Sequence, residues 1–346
     1  GGYTGIRSAT PIADPSGYVY EAVPSNRVEG VTATIYQYAE IIDYDEYGEE
    51  TGRRKEEVKW DAENYDQVNP QTTDTYGIFG WDVPEGSWVV KFNKEGYEDA
   101  DSYNDAAATY AGENGKHYLP VPPIQTEVNT AMVSTAAPEV AGVSAYEGEI
   151  DIDFSQYMQI DTVNTSNVPV TAAGGTAVTG TIEPLNAEDN YDGTARYASS
   201  FAFRPAQTAG ALAGTVTVAV KNVKNYAGTA IAAAYSGQHA VTVMPRSLEI
   251  TGETGMLHHD STELTIRVLP AEAGAGRTLT ITSYSPSIVS VGQQTVTTDE
   301  NGLASVTLEG SLPGQGILEI ALDGTKIAEE KQITVTARQA APAIRS

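Results

Sequence analysis

The stretch TDTYGIFGWDVPEGSWVVKFNKEGYE, Thr73 to Glu98, decides the fold class. Phe79, Trp81 and Val83 share one parity, and after Pro84-Glu85-Gly86 the residues Trp88, Val90 and Phe92 share one as well. A period of two with bulky side chains on a single parity is that of half-buried β-strands, and the intervening turn predicts a hairpin. The rings are expected to fill the gap between two packed sheets, because each strand of a sandwich buries one parity.

The same alternation recurs along the chain, in GVTATIYQYAEII, TEVNTAMVS, GEIDIDF, SSFAFRP, GTVTVAV, STELTIRVLP, LASVTLEG and GILEIAL. Gly, Pro, Asn and Asp clusters separate these runs at short intervals, as in sandwich folds. Uninterrupted apolar stripes of helical period are missing, so helices are not expected. Two small, proline-bearing stretches, VSTAAPEVAGV (Val133–Val143) and VTVMPRSLEI (Val241–Ile250), read as linkers. They divide the chain into 1–134, 135–244 and 245–340, each of ordinary domain size. The expectation is an all-β chain of three tandem β-sandwich domains in an elongated rod.

Composition narrows the function. The 346 residues carry a formal net charge of −26, which opposes nucleic acid and anionic lipid as partners. Up to Ser134 there are 24 acidic and 9 basic residues, so this first part is the more acidic. The chain has no cysteine, which removes disulfides, zinc–thiolate sites, iron–sulfur clusters and thiol catalysis. No apolar run is long enough for membrane insertion. An acidic, cysteine-free β-protein rich in Tyr and Thr suits the exterior of a Gram-positive bacterium. The opening GGYTG and the closing TARQAAPAIRS read as the cut ends of an excised part of a larger exported protein.

Three resemblances follow from quoted residues. The order EGVTATIY, then TTDTYGIFGWDVPEGSWVVKFNKEGYE, resembles carboxypeptidase-regulatory-like domains and their Cna B-type relatives, which are prealbumin-like sandwiches. Gly30, Val31, Thr73, Asp74, Gly77, Pro84, Gly86, Val90, Phe92, Gly96 and Tyr97 carry that likeness. More narrowly, DPSGYVYEAVPSNRVEGVTATIY and WDAENYDQVNPQT look like a spacer module of large surface proteins of gut Clostridia. The second segment resembles the Ig-like domain of bacterial S-layer-type proteins, through Phe154, Ser155, Met158, Phe203, Pro205, Gly214, Val216, Val218, Ala227 and Gly228. Where many members have Asp before the Ala-Gly pair, this chain has Tyr226. The third resembles the invasin and intimin type of Ig-like domain, through SPSIVSV and TDENGLASVTL. These resemblances imply fold and a surface setting, and no ligand.

Candidate sites are few. The loop EGYEDADSYNDA brings Glu98, Asp99, Asp101 and Asp105 within reach of a calcium ion, for which flexible oxygen ligands are suited; no other cofactor is expected. Asp43 and Asp45 are spaced like the first EF-hand ligands, but Tyr47 and Arg54 occupy later ligand positions, so a solvated hairpin tip faced by Arg53, Arg54 and Lys55 is expected instead. The first segment holds all three tryptophans and 13 of the 20 tyrosines, and Tyr36, Tyr38, Tyr44 and Tyr47 form a ring set that can stack on sugars. Cna B-type relatives sometimes carry a Lys–Asn isopeptide bond; Lys91 has the outward parity and no convincing partners, so it reads as a surface lysine. His258, His259 and Asp260 read as a loop without metal, adjacent histidines on a strand pointing to opposite faces.

Around the four histidines there is no catalytic signature, and narrow sandwiches offer little room for a glycosidase cleft. No catalytic residues are assigned and the chain reads as a non-enzyme. The expected role is a stalk or spacer of a secreted or cell-surface bacterial protein, extracellular and monomeric, its partners being neighbouring domains of the same polypeptide. Two alternatives stand beside it. One is an adhesin or carbohydrate-binding module that meets host or dietary glycans, or a surface protein, through the aromatic-rich first domain. The other is an accessory region of an exported polysaccharide-degrading enzyme.

Overall fold

The computed structural model describes residues 14–207 and 212–339. The opening GGYTG and the tail from residue 340 lie outside them. Among the described residues there is no α-helix, only three single 3-10 turns among strands. The chain is all-β. Three separate hydrophobic cores follow one another, spanning Val19–Met132, Ala145–Val241 and Leu248–Val335.

The first unit packs two sheets. The smaller joins Ser16–Glu21 to Val23–Arg27, Ile78–Gly80 and, in parallel, Thr130–Ala131. The larger runs Glu50–Lys59, Thr32–Tyr44, Gly86–Asn93, His117–Val121, Tyr110–Ala111. Phe79 and Trp81 enter the gap from one side, Trp88 and Phe92 from the other, and all four are buried. Phe79 meets Phe92 edge-on at 4.9 Å, and Trp60 meets Trp88 at 5.8 Å. Both buried indole N–H groups donate to carbonyls, Trp81 to Val68 and Trp88 to Pro84, as buried polar atoms require.

The expected hairpin across Pro84-Glu85-Gly86 does not form. Phe79 pairs with Gly17 in the smaller sheet, while Val89 pairs with Tyr36 in the larger. The turn carries the chain from one sheet to the other. Both strands still aim their bulky parity into the gap, because they face it from opposite sides. Alternation specifies which face is buried, not which strand is the neighbour. The expected strand over TEVNTAMVS likewise shortens to Thr130–Ala131. The other expected hairpin, Thr32–Tyr44 with Glu50–Lys59, does form and ends one edge of its sheet. That outer strand is mostly charged: Glu50, Arg53, Arg54, Lys55, Glu56, Glu57 and Lys59.

The second unit is one continuous eight-stranded sheet folded over on itself. Its halves join through a parallel pairing of Val140–Tyr146 with Tyr235–Thr242. Ile150, Ile152, Phe201 and Phe203 from one half share a core with Val216, Val218 and Val220 from the other. The third unit returns to two sheets, of four and five strands, around Leu264, Ile266, Leu308, Leu318 and Ile320.

One turn device recurs. At Asp45, Asp74, Asn225 and Asp299 the side-chain oxygen accepts the backbone N–H groups two and four residues on. Three residues on in each case stands a glycine with positive φ, Gly48, Gly77, Gly228 and Gly302. Asx capping plus a left-handed residue closes the loop without external help. Asp45 thus serves its own hairpin tip, where Arg53 pairs with Glu40 and Glu50, and Arg54 with Asp43 and Glu56.

Candidate functional site

The four acidic residues of the 98–105 loop are not gathered around one point. The Asp101 carboxylate accepts the Tyr103 N–H, and Asp105 accepts the Ala107 N–H, while Glu98 and Asp99 are exposed. Burial pushes the Asp105 carboxyl above its ordinary range, which weakens it as a hard-cation ligand. Among the described residues, no group of three or more His, Asp or Glu side chains is placed to hold a metal ion. At the third unit's end, His259 takes φ +69°, so the two adjacent rings lie 4.5 Å apart rather than on opposite faces. The His258 Nδ1 accepts the Arg338 N–H, and Arg338 pairs with Asp260.

The four candidate tyrosines also part company. Tyr44 and Tyr47 stand exposed at the hairpin tip. Tyr38 is buried, stacked on Tyr118 with centroids 4.3 Å apart and planes within 6°. Tyr36 is half-buried under the Lys91 ammonium, 4.7 Å from its ring centroid. Instead of a platform, this outer face of the larger sheet carries a small secondary core of Tyr38, Val89 and Tyr118, flanked by Tyr36 and Tyr103. Glu57 closes it. Its carboxylate accepts Lys91 Nζ at 2.6 Å, Tyr118 OH at 2.8 Å and Tyr103 OH. Burial opposes the charge on Glu57, but these donors outweigh it and hold the carboxyl below its usual range. Burial, with Glu57 adding to it, pushes Tyr118 up to about 12. Lys91 is therefore an outward lysine engaged in an ion pair.

A second polar cluster lies where none was expected, between the first and second units. Glu21 ends the strand Ser16–Glu21 and is nearly buried, at 9% exposure. Its carboxylate accepts Tyr226 OH at 2.6 Å from the second unit and Tyr97 OH at 3.3 Å from its own. The Tyr226 oxygen accepts in turn the Ser134 N–H of the connecting segment at 2.9 Å. Burial raises the Glu21 carboxyl above its ordinary value despite both hydroxyl donors. Burial likewise raises Tyr97 to about 12, and Tyr226 upward with help from Glu21. Beside this latch, Tyr191 of the second unit stacks on Tyr20 of the first, centroids 5.6 Å apart and planes 17° from parallel. The Tyr191 oxygen accepts Asn129 Nδ2 at 3.0 Å, and Ser25 donates to Glu188.

The connecting segment itself is tied down, with Thr135 N–H donating to Gly96 and Gln156 Nε2 to Ala136. A cleft of about 300 Å³ remains between the units, walled by Tyr20, Met132, Tyr191, Tyr197 and Tyr226. The one sequence signal pointing here is Tyr226, the residue that departs from the S-layer-type pattern. At the junction of the second and third units, Arg246 pairs with Glu147.

No family model matches the chain. No curated protein matches it either. Among solved structures it is similar to the D0-D1 domain of intimin, at 18% identity over 57% of this chain and 97% of that one, TM-score 0.24. It is similar to invasin, a bacterial integrin-binding protein, at 13% identity over 93% of this chain and 60% of that one, TM-score 0.26. A third is domains 1-6 of the surface layer protein SbsC, at 11% identity over 59% of this chain and 41% of that one, TM-score 0.24. The intimin–invasin and S-layer groups are the two that the third and second segments resemble in sequence. TM-scores this low carry no property across to this chain.

Proposed function

We propose that the chain is a non-catalytic stalk of an exported bacterial surface protein, holding other parts of that protein at a distance. The observation that carries this reading is the latch between the first two units. Glu21 spans from one unit to Tyr226 of the next, and Tyr226 also grips the connecting segment at Ser134. A junction closed by partly buried hydrogen bonds and stacked rings resists bending in a way that a bare linker does not. Serial independent cores, one per unit, add length rather than a central cavity. The net charge of −26 disfavours self-association along such a stalk.

The test is small-angle scattering of the whole chain combined with spin-label distances between the first and second units. The stalk reading expects an extended profile and a narrow distance distribution across that junction. A compact profile, or a broad distribution across the first junction, overturns it.

A further inference from the structure

The junction does more than stiffen. The Tyr20–Tyr226 cleft adjoins a further cleft on each side, because its boundary rings also line its neighbours. Tyr191 is shared with a cleft of about 540 Å³ bordered by Asn104, Asp105, Gln125 and Asn129. Tyr197 is shared with another of about 470 Å³, bordered by Gln159, Ile160 and Arg196. The three adjoin one another at these tyrosines as an interrupted trough; the first two are lined by both units at the seam, the third by the second unit alone.

Its chemistry is specific. Tyr191 stays 48% exposed, yet its stack on Tyr20 and its bond from Asn129 fix the ring in advance. A pre-oriented aromatic surface loses little freedom when it meets a ligand. Around it stand amides and carboxylates, which together offer paired donors and acceptors at short reach. The trough's one guanidinium, Arg196, is already paired with Asp189 at 3.0 Å. Asp105, Asp192 and Glu127 line the trough as well, in a chain of net charge −26, so an anionic occupant meets repulsion.

Flat rings that accept apolar C–H faces, ringed by amides and carboxylates that match vicinal hydroxyls, are the features of a sugar site. We infer that the trough along the first junction binds a neutral oligosaccharide, with Tyr191 as its central stacking ring. This goes beyond the stalk reading and places the site away from the hairpin tyrosines. A stalk segment with this trough recognises glycan along its side.

The experiment titrates the whole chain with cellohexaose, xylohexaose and mannohexaose by calorimetry, and maps any binder by backbone amide shifts. The expected result is binding of at least one, with shifts confined to residues 104–105, 125–129 and 190–197. Tyr191→Ala is expected to weaken it by about tenfold or more, while Tyr47→Ala leaves it unchanged. Amide shifts of the unsubstituted chain keep the test decisive should Tyr191→Ala fail to fold. Absence of binding by all three, shifts elsewhere, or binding that survives Tyr191→Ala overturns the inference. Scattering of the sugar-free chain is unaffected by any of these outcomes, so the stalk reading stands or falls separately.

Discussion

Glu21 and Glu57 are carboxylates of one unit whose surroundings push them in opposite directions, and this gives two pH dependences of opposite sign. Burial raises Glu21, so the folded chain holds its proton more tightly than the unfolded chain does. Its stabilising share is complete below the ordinary carboxylate value and is lost as pH rises through the raised value. Glu57 is held low by Lys91, Tyr103 and Tyr118 against the cost of burial, so its share is present above the ordinary value and lost as pH falls through the lowered one. Melting temperatures of Glu21→Gln and Glu57→Gln against the unsubstituted chain measure both. The unsubstituted chain's advantage over Glu21→Gln is expected to shrink as pH rises above about 4, and its advantage over Glu57→Gln to shrink as pH falls below about 4. Parallel curves would remove the distinction. At the same latch, Tyr226→Phe deletes one hydroxyl that serves both Glu21 and Ser134. Denaturant unfolding is expected to show a loss of ~1–3 kcal/mol, the range for leaving a buried polar group short of a partner.

Among the elements, the Gly, Asn and Asp clusters between strands were legible, but not the shared Asp/Asn-x-x-Gly device within them, although its Asp or Asn cap and left-handed glycine are purely local. These loops also separate two costs. Gly48 has φ +82° and open space around it, whereas Gly77 has φ +68° and a Cβ there would collide with the Val19 carbonyl. Gly48→Ala is therefore expected to cost about 1 kcal/mol, and Gly77→Ala about 3 kcal/mol or more, in urea unfolding. Equal losses would show that the Val19 contact gives way. Strand faces were legible too: Phe79, Trp81, Trp88 and Phe92 all lie in the gap that their parity predicts. The pairing of those strands was not. A three-residue strand such as Ile78–Gly80 carries no signal for its neighbour, and a turn that crosses between sheets reads locally like one that closes a hairpin.

Across the whole molecule, the junctions escape sequence reading for a plain reason. Glu21 and Tyr226 lie 205 residues apart, and each alone is an ordinary strand-end acid or loop tyrosine. The sugar-stacking expectation failed to gather at Tyr36, Tyr38, Tyr44 and Tyr47 because Tyr38 pays into a secondary core, a role that composition does not distinguish from display. Among the described residues, the first junction is joined by hydrogen bonds and a ring stack, and the second by the Arg246–Glu147 pair. A single ion pair whose Arg246 side is half-exposed contributes little beside that joint of several contacts, so scanning calorimetry is expected to show the first two units melting together and the third on its own. Tyr226→Phe should split the joint transition; a single transition for all three units would contradict this account.

The charged strand Glu50–Lys59 has its own consequence at this scale. A sheet that ends on an unpaired strand offers a template to any passing chain. Here, any neighbour that docked would have to match, in register, a block of Arg53, Arg54 and Lys55 followed by Glu56 and Glu57, with Glu50 and Lys59 at the ends. In the stalk role proposed above, that fringe is expected to keep neighbouring copies separate, so that they stand as a brush instead of a felt.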